Sequence, residues 1–365
     1  MKKVSHMAYY ITAHGYGHGV RSSDLLGALL AGNPGLWVTV TTDLPEEFLR
    51  NRLPFPKERL RVRPGAFDVG MVQKDSIRVD VEATLERALL LVKNRAGWVM
   101  QEAEFLRGEG AGLVVADIPS IPVEAAAAAG ISGVAMGNFS WDWIYAPFVE
   151  RDSRWRQVIG LFEEGYRKAR VLLKLPFSPD MSVFEKQVEI PLLAKAGRAR
   201  REELALLTGA DAGKRWVLLS FTTLDWDEAA LREVEALGDH EFFTVKPLAW
   251  AGRKNIHAVD RMNMGFSDVL ASVDAVVTKP GYGILCDCVA NQKPIVFAER
   301  EDFIEYPLLE RELKRFLRNV HLPAADLYAG RMGAALEALE AAPAPKERLA
   351  DGGAEKAADL LMGWM

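Results

Sequence analysis

Short apolar, β-branched runs alternate with stretches of helical period along most of the chain. That alternation restricts the fold more than any other feature, because strand, crossover helix and parallel strand in succession build sheets covered by helices. Residues 9–13, 37–41, 112–116, 133–136 and 171–175 read as strands of a first sheet. Residues 21–30, about 79–107 and 123–129 read as helices, the long one carrying Leu85, Ala88, Leu89, Val92 and Trp98 on one face. Pro176, Pro179 and Pro191 then interrupt regular structure, and residues 217–221, 242–245, 275–278 and 294–297 resume the rhythm. No stretch of sequence recurs between the halves; only the layered pattern does.

At 365 residues the chain exceeds what one hydrophobic core ordinarily serves. The expectation is an α/β fold of two doubly wound, Rossmann-like domains with an interdomain cleft, over residues 1–180 and 181–342. A short proline linker at 341–345 then leads to a helix over 346–365 that packs back on the first domain.

Composition narrows the function classes. A net charge of −5 supplies no general attraction to nucleic acid or to an anionic membrane surface. No run approaches the roughly 18 apolar residues of a membrane span, and residues 1–12 lack the apolar core of a leader. A cytoplasmic protein acting on small molecules is the expectation. Cys286 and Cys288, two apart at a helix start, point in different directions and read as reduced thiols and not as a disulfide or metal pair.

Three stretches carry residues suited to chemistry. His14-Gly-Tyr-Gly-His18-Gly19 follows a strand and opens a helix, where glycines let backbone N–H groups approach an anion. Gly15 and Gly17 match the first two glycines of a dinucleotide fingerprint, but Val20 stands where the third belongs. A histidine at a helix N-terminus is kept neutral by the dipole, which suits a base acting on a hydroxyl; capping of backbone groups is the alternative for both His14 and His18. Zinc binding by the two would require a helix between them, which Gly15 and Gly17 oppose. Arg21 beside this loop hints at an anionic group, or at an ordinary ion pair.

Asp117 ends a buried strand and is placed to hold the other ring nitrogen of His18, fixing its tautomer, or else to cap the helix that follows. The aromatic segment 137–147 lies beyond a strand's carboxyl end, where open α/β sheets bind ligands. Its Phe139, Trp141, Trp143 and Tyr145 suit sugar stacking, although such aromatics more often serve a core or an interface. In the second half, Lys279-Pro-Gly281-Tyr282-Gly283 forms a strand-to-helix corner suited to phosphate, with Asp287 further along the helix for ribose hydroxyls; a purely structural turn is the other reading. Ser220, Thr222 and Thr223 end that domain's first strand and add donors for the same diphosphate.

In their order, these elements resemble GT-B nucleotide-sugar glycosyltransferases. The chain is more closely similar to the glycosyltransferase-like N-terminal half of plant L-arabinose kinases and their stand-alone bacterial relatives, through Asp68-Val-Gly70-Met-Val-Gln73, Asn138-Phe-Ser140-Trp141-Asp142 and Gly281-Tyr-Gly283 with its following acid. The resemblance implies that His18 is the catalytic or acceptor-contacting histidine and that Gly281, Tyr282 and Gly283 form the diphosphate loop. It puts Asp287 at the ribose-binding acid, usually a glutamate, and Asp302 and Glu305 at the donor sugar. His14, Gly17, Arg21, Asn138 and Trp141 fall to the acceptor side. The expected reaction is glycosyl transfer from a nucleoside diphosphate sugar of the UDP type to an acceptor, with no metal and no further cofactor. Hydrolysis or epimerisation of the nucleotide sugar, and a non-catalytic sugar-nucleotide binder partnering a sugar kinase, are the rival readings.

Overall fold

In a computed structural model the described residues are 5–74, 78–245, 250, 253–301 and 303–365. They fall into two units, the first made of Met1–Val72, Asp80–Leu193 and Ala350–Met365, the second of Gln73–Val79 and Ala194–Leu349. The first unit holds β1 (Ser5–Ile11), β2 (Leu36–Thr41), β3 (Leu60–Arg63), β4 (Leu113–Asp117), β5 (Ser132–Gly137), β6 (Val171–Lys174) and β7 (Gln187–Glu189), in the order β3-β2-β1-β4-β5-β6-β7. All neighbours are parallel. The second unit holds β8 (Arg215–Ser220), β9 (His240–Thr244), β10 (Ile256–Ala258), β11 (Ala275–Thr278), β12 (Ile295–Phe297) and β13 (Asn319–His321), ordered β10-β9-β8-β11-β12-β13 and again parallel throughout.

Both sheets therefore have the doubly wound order, with the strand sequence reversing between β1 and β4 in one and between β8 and β11 in the other. At such a reversal the crossover helices leave to opposite faces and open a crevice beyond the carboxyl ends of the two strands. The central strands explain why the sequence signal was strong there: every residue from Leu113 to Asp117 and from His6 to Ile11 is buried, as strands covered on both faces require.

Among the element boundaries that differ from the sequence expectation are two near the amino terminus. β1 begins at Ser5, not at residue 9, because polar His6 is drawn into the sheet. Its ring stacks 3.6 Å from that of Trp37, and its Nε2 stands 3.0 Å from Thr39 Oγ1. The first helix begins at Tyr16, not at residue 21, so Gly17, His18 and Gly19 are helical. Gly19 is accepted there for a packing reason: a Cβ at this position would lie 2.6 Å from both Leu44 and Phe48. Cys286 and Cys288 sit within the helix Tyr282–Ala290, the first half-buried and the second fully buried.

The helix Gly353–Gly363 completes the first unit's core. Ala354, Ala357, Ala358 and Leu361 join the same buried cluster as Leu25, Leu26, Leu29 and Leu30 of the first helix. Leu192 N donates to Ala350 O at 2.9 Å and Gly353 N to Leu192 O at 3.1 Å, which ties this last segment to the chain leaving β7. Leu361 has no exposed surface. Leu361→Ala should therefore cost about 2–5 kcal/mol, read as a lowered urea midpoint at unchanged slope.

Candidate functional site

At the reversal point of the first sheet, a carboxylate without exposed surface anchors the site. Asp117, the last residue of β4, lies in register beside Ile11, the last residue of β1. Its Oδ2 accepts from Arg21 Nε at 2.9 Å and from Ser22 Oγ at 2.8 Å, and its Oδ1 accepts from Arg21 NH2. His18 Nδ1 is 3.0 Å from the same Oδ1. Arg21 NH2 also approaches Nδ1, at 2.9 Å. Because Asp117 is anionic and already drawn to that guanidinium, we assign the Nδ1 proton as donated to Asp117, which leaves the lone pair on His18 Nε2.

The charges are consistent with that assignment. Burial opposes ionisation of Asp117, but the Arg21 guanidinium and His18 outweigh it and hold the carboxyl well below its usual range. Burial and then Arg21 push the His18 imidazole below its ordinary value, against the pull of Asp117. His18 is thus neutral near pH 7, and 14% of its side chain remains exposed. The backbone is strained next to Asp117: Ile118 has φ of 77°, the left-handed region that β-branched residues avoid. Tyr166 Oη donates to Ile118 O at 2.8 Å and helps hold that turn.

A second carboxylate, Asp68, supports His14. Its side chain is 1% exposed, and it accepts from Thr12 Oγ1 at 2.9 Å, from His14 Nε2 at 2.9 Å and from Trp141 Nε1 at 2.8 Å. Gly70, at φ of 67°, presses its backbone on the His14 ring so closely that a Cβ would lie 2.3 Å from it, and Tyr145 Oη donates to Gly70 O at 3.0 Å. The acceptor contacts expected of Asn138 and Trp141 thus fall on side chains only 1% and 4% exposed. Their polar atoms are engaged beneath the corner: Asn138 Oδ1 accepts from Arg21 NH1 while its Nδ2 donates to Pro176 O at 2.5 Å, and Trp141 holds Asp68. Gly17 is exposed on the first helical turn.

In the second unit, Thr278 Oγ1 donates to Ser220 O at 2.9 Å and pins the ends of β8 and β11 together. Thr222 and Thr223 are exposed just beyond β8. Gly281 caps the helix Tyr282–Ala290, which includes Gly283 and Asp287, and a Cβ on Gly281 would find no atom nearer than 3.9 Å. Lys279 is pushed by burial, and further by Arg300, down to about 7, with Glu305 opposing. Burial likewise lowers Arg300 to about 10 and raises Glu305. Asp302 lies outside the described residues.

Arg300 carries no assignment from sequence. Its NH1 donates to Pro280 O at 3.4 Å, its guanidinium lies over the Phe303 ring, and its buried Nε has no hydrogen-bond partner. It brings a second cation to the loop that Lys279 opens. Asp68 was legible only as part of a motif, because a carboxylate in an irregular segment has no periodicity to reveal its partner. Among the described residues no group of three or more His, Cys, Asp or Glu converges to hold a metal ion, and no helix is long and apolar enough to cross a membrane.

No family model matches the chain. An L-arabinokinase of Arabidopsis thaliana is 30% identical over 342 residues, 90% of this chain, and the chain spans 32% of that relative's length. Among solved structures, the glycotransferase of kitacinnamycin superposes with a TM-score of 0.64 at 17% identity, over 100% of both chains. UGT89C1 of Arabidopsis thaliana, solved with quercetin and with UDP, gives 0.64 at 15% identity in its quercetin complex, covering 99% of this chain and 100% of that one. A UDP-N-acetylglucosamine 2-epimerase from Listeria monocytogenes, described as putative, gives 0.56 at 15% identity over 99% and 95%.

The Gly70 geometry yields a contrast between two glycines. Gly70→Ala should cost about 1–2 kcal/mol for the left-handed backbone alone and should displace His14. Gly15, extended and with no atom within 4 Å of a built Cβ, should accept alanine at little cost in stability. Urea unfolding of the two variants measures the difference.

Proposed function

The chain has the GT-B glycosyltransferase fold and is similar over 90% of its length to a third of an L-arabinokinase; from that premise we propose that it transfers a glycosyl group from a nucleoside diphosphate sugar to a hydroxyl of an acceptor. The observation that carries this is the neutral imidazole of His18, bonded through Nδ1 to a buried carboxylate and free at Nε2 to take a proton. In the reaction, Nε2 removes the proton of the acceptor hydroxyl as its oxygen attacks the anomeric carbon. Asp117 holds the ring and stabilises the imidazolium that forms. Arg21 keeps Asp117 from drawing a proton onto the imidazole beforehand.

The donor falls to the second unit. Its diphosphate would lie against the backbone N–H groups from Gly281 to Gly283, at the start of a helix whose dipole favours anions, with Lys279 and Arg300 supplying cations. Glycosyl transfer leaves one more negative charge on the departing diphosphate, and these groups are suited to stabilise it. Asp287 would hold the ribose hydroxyls, Glu305 the donor sugar, and Thr222 and Thr223 the phosphates. UDP as the nucleotude moiety is supported by the UDP complex of UGT89C1 and the UDP-sugar named for the Listeria protein. That epimerase also favours a second reading, in which the nucleotide sugar is itself hydrolysed or epimerised. Product analysis with and without acceptor separates the two.

His18→Ala should lower turnover about 10²–10⁴-fold with little change in donor affinity, and an unchanged rate removes His18 from the mechanism. The base works only when unprotonated, so activity falls as pH drops through the His18 pKa. Arg21→Gln removes the neighbouring positive charge that holds that pKa down, so the acid limb of the rate profile should move to higher pH. On the donor side, a diphosphate beside Lys279 restores the ammonium. Binding of UDP should therefore take up protons from about pH 7 upward, measured by calorimetry in buffers of differing ionisation heat.

A further inference from the structure

The His14 pair answers to a different chemistry from the His18 pair. Asp117 has a guanidinium to balance it, whereas the partners of Asp68 are the Thr12 hydroxyl, the Trp141 indole and the His14 imidazole. Burying a carboxylate with no arginine or lysine against it is costly, and an apolar or amide side chain would fill the space without that cost. What Asp68 achieves is orientation: it fixes the proton on His14 Nε2 and leaves Nδ1 as the nitrogen not taken by the carboxylate, on a side chain 26% exposed. The backbone is shaped to the same end, since Gly70 lies where only a glycine clears the imidazole.

The two imidazoles flank one aromatic pair. His14 stands edge-on to Trp141 at 5.5 Å and His18 edge-on to Phe139 at 5.9 Å, while those two rings are themselves 4.9 Å apart. The charge of Asp68 is felt at His18. The first unit's corner thus holds two imidazoles, each with one nitrogen on its own carboxylate and the other, Nδ1 of His14 and Nε2 of His18, outside that pairing. A phenol offering a single hydroxyl would satisfy one of them only.

We propose that His14, held by Asp68, binds a second hydroxyl of the acceptor, so that the acceptor is a polyol such as a free sugar. The inference rests on the assignment of the first unit's corner to the acceptor. His18 takes the proton of the reacting hydroxyl; His14 accepts a hydrogen bond from another hydroxyl of the same molecule and sets its orientation.

The test uses the full chain with 15N-labelled histidine, titrated with pentoses, hexoses and inositols and with their monodeoxy analogues. His14 signals are those missing from the His14→Ala spectrum, and urea unfolding checks that this variant is folded. A polyol should shift both His14 Nδ1 and His18 Nε2, and the analogue lacking the relevant hydroxyl should shift His18 alone. His14→Ala should weaken the polyol roughly tenfold and leave the deoxy analogue unchanged. Equal weakening of both, or a His14 signal that no polyol moves, overturns the inference. If a polyol moves both imidazoles but no donor releases its diphosphate, glycosyl transfer falls and the polyol site stands. Release with phenols alone, with His14 silent, has the opposite meaning.

Discussion

The first unit's corner depends on one buried ion cluster. Asp117 has no exposed surface, so its charge must be met inside the protein, and the first helix meets it with three side chains in succession along one turn: His18, Arg21 and Ser22. The spacing of three and four residues brings them to the same helical face. Ser22 is in turn contacted by Tyr9 Oη at 3.3 Å, and Arg21 reaches Asn138 beyond β5, so three neighbouring strand ends are tied to one carboxylate. The bonds that stabilise the cluster also fix the tautomer of His18. Structural and chemical demands on Asp117 cannot be separated by substituting it alone, since loss of the carboxylate leaves a buried guanidinium unpaired.

Asp68 plays the corresponding part for an irregular stretch. Residues 64–72 have no strand or helix to hold them, and Asp68 and Gly70 attach them to Thr12, His14, Trp141 and Tyr145. The aromatic run after β5 is therefore a supporting layer: Trp141 stacks on Tyr145 at 5.4 Å, and Tyr145 packs on Trp155 at 4.8 Å. Its indole N–H and phenol O–H are the polar ends of otherwise buried rings, aimed at the two groups that shape His14.

How much of this the sequence carried follows from physical signal strength. Central strands such as β4 and β11 are buried on both faces and read as unbroken apolar runs, so the doubly wound class was legible from them. The strands β3, β7, β10 and β13 were not, because Leu60–Arg63, Gln187–Glu189, Ile256–Ala258 and Asn319–His321 are three or four residues long and partly polar. The pairing of His18 with Asp117 could be anticipated because His18 opens the helix that follows β1 and Asp117 ends β4, positions that the alternation defines. Asp68 and Arg300 lie in loops, where contact partners depend on the path of the chain and no periodicity records it. The interior role of Trp141 was left open by composition, since an aromatic residue after a strand can serve a ligand or a core, and that of Asn138, expected on the acceptor side, was not anticipated.

The first unit is interrupted in sequence: Ala194–Leu349 intervenes before Gly353–Gly363 lays Leu361 against the helix that carries His18. On the ribosome Ala194–Leu349 emerges and is free to fold at once, while the earlier-made segment must wait for Ala350–Met365 with one flank of its apolar surface uncovered. Shape completion thus runs against the order of translation. Emergence of Gly353–Gly363, and not of the histidine-bearing turn itself, is the event after which that turn acquires its permanent support.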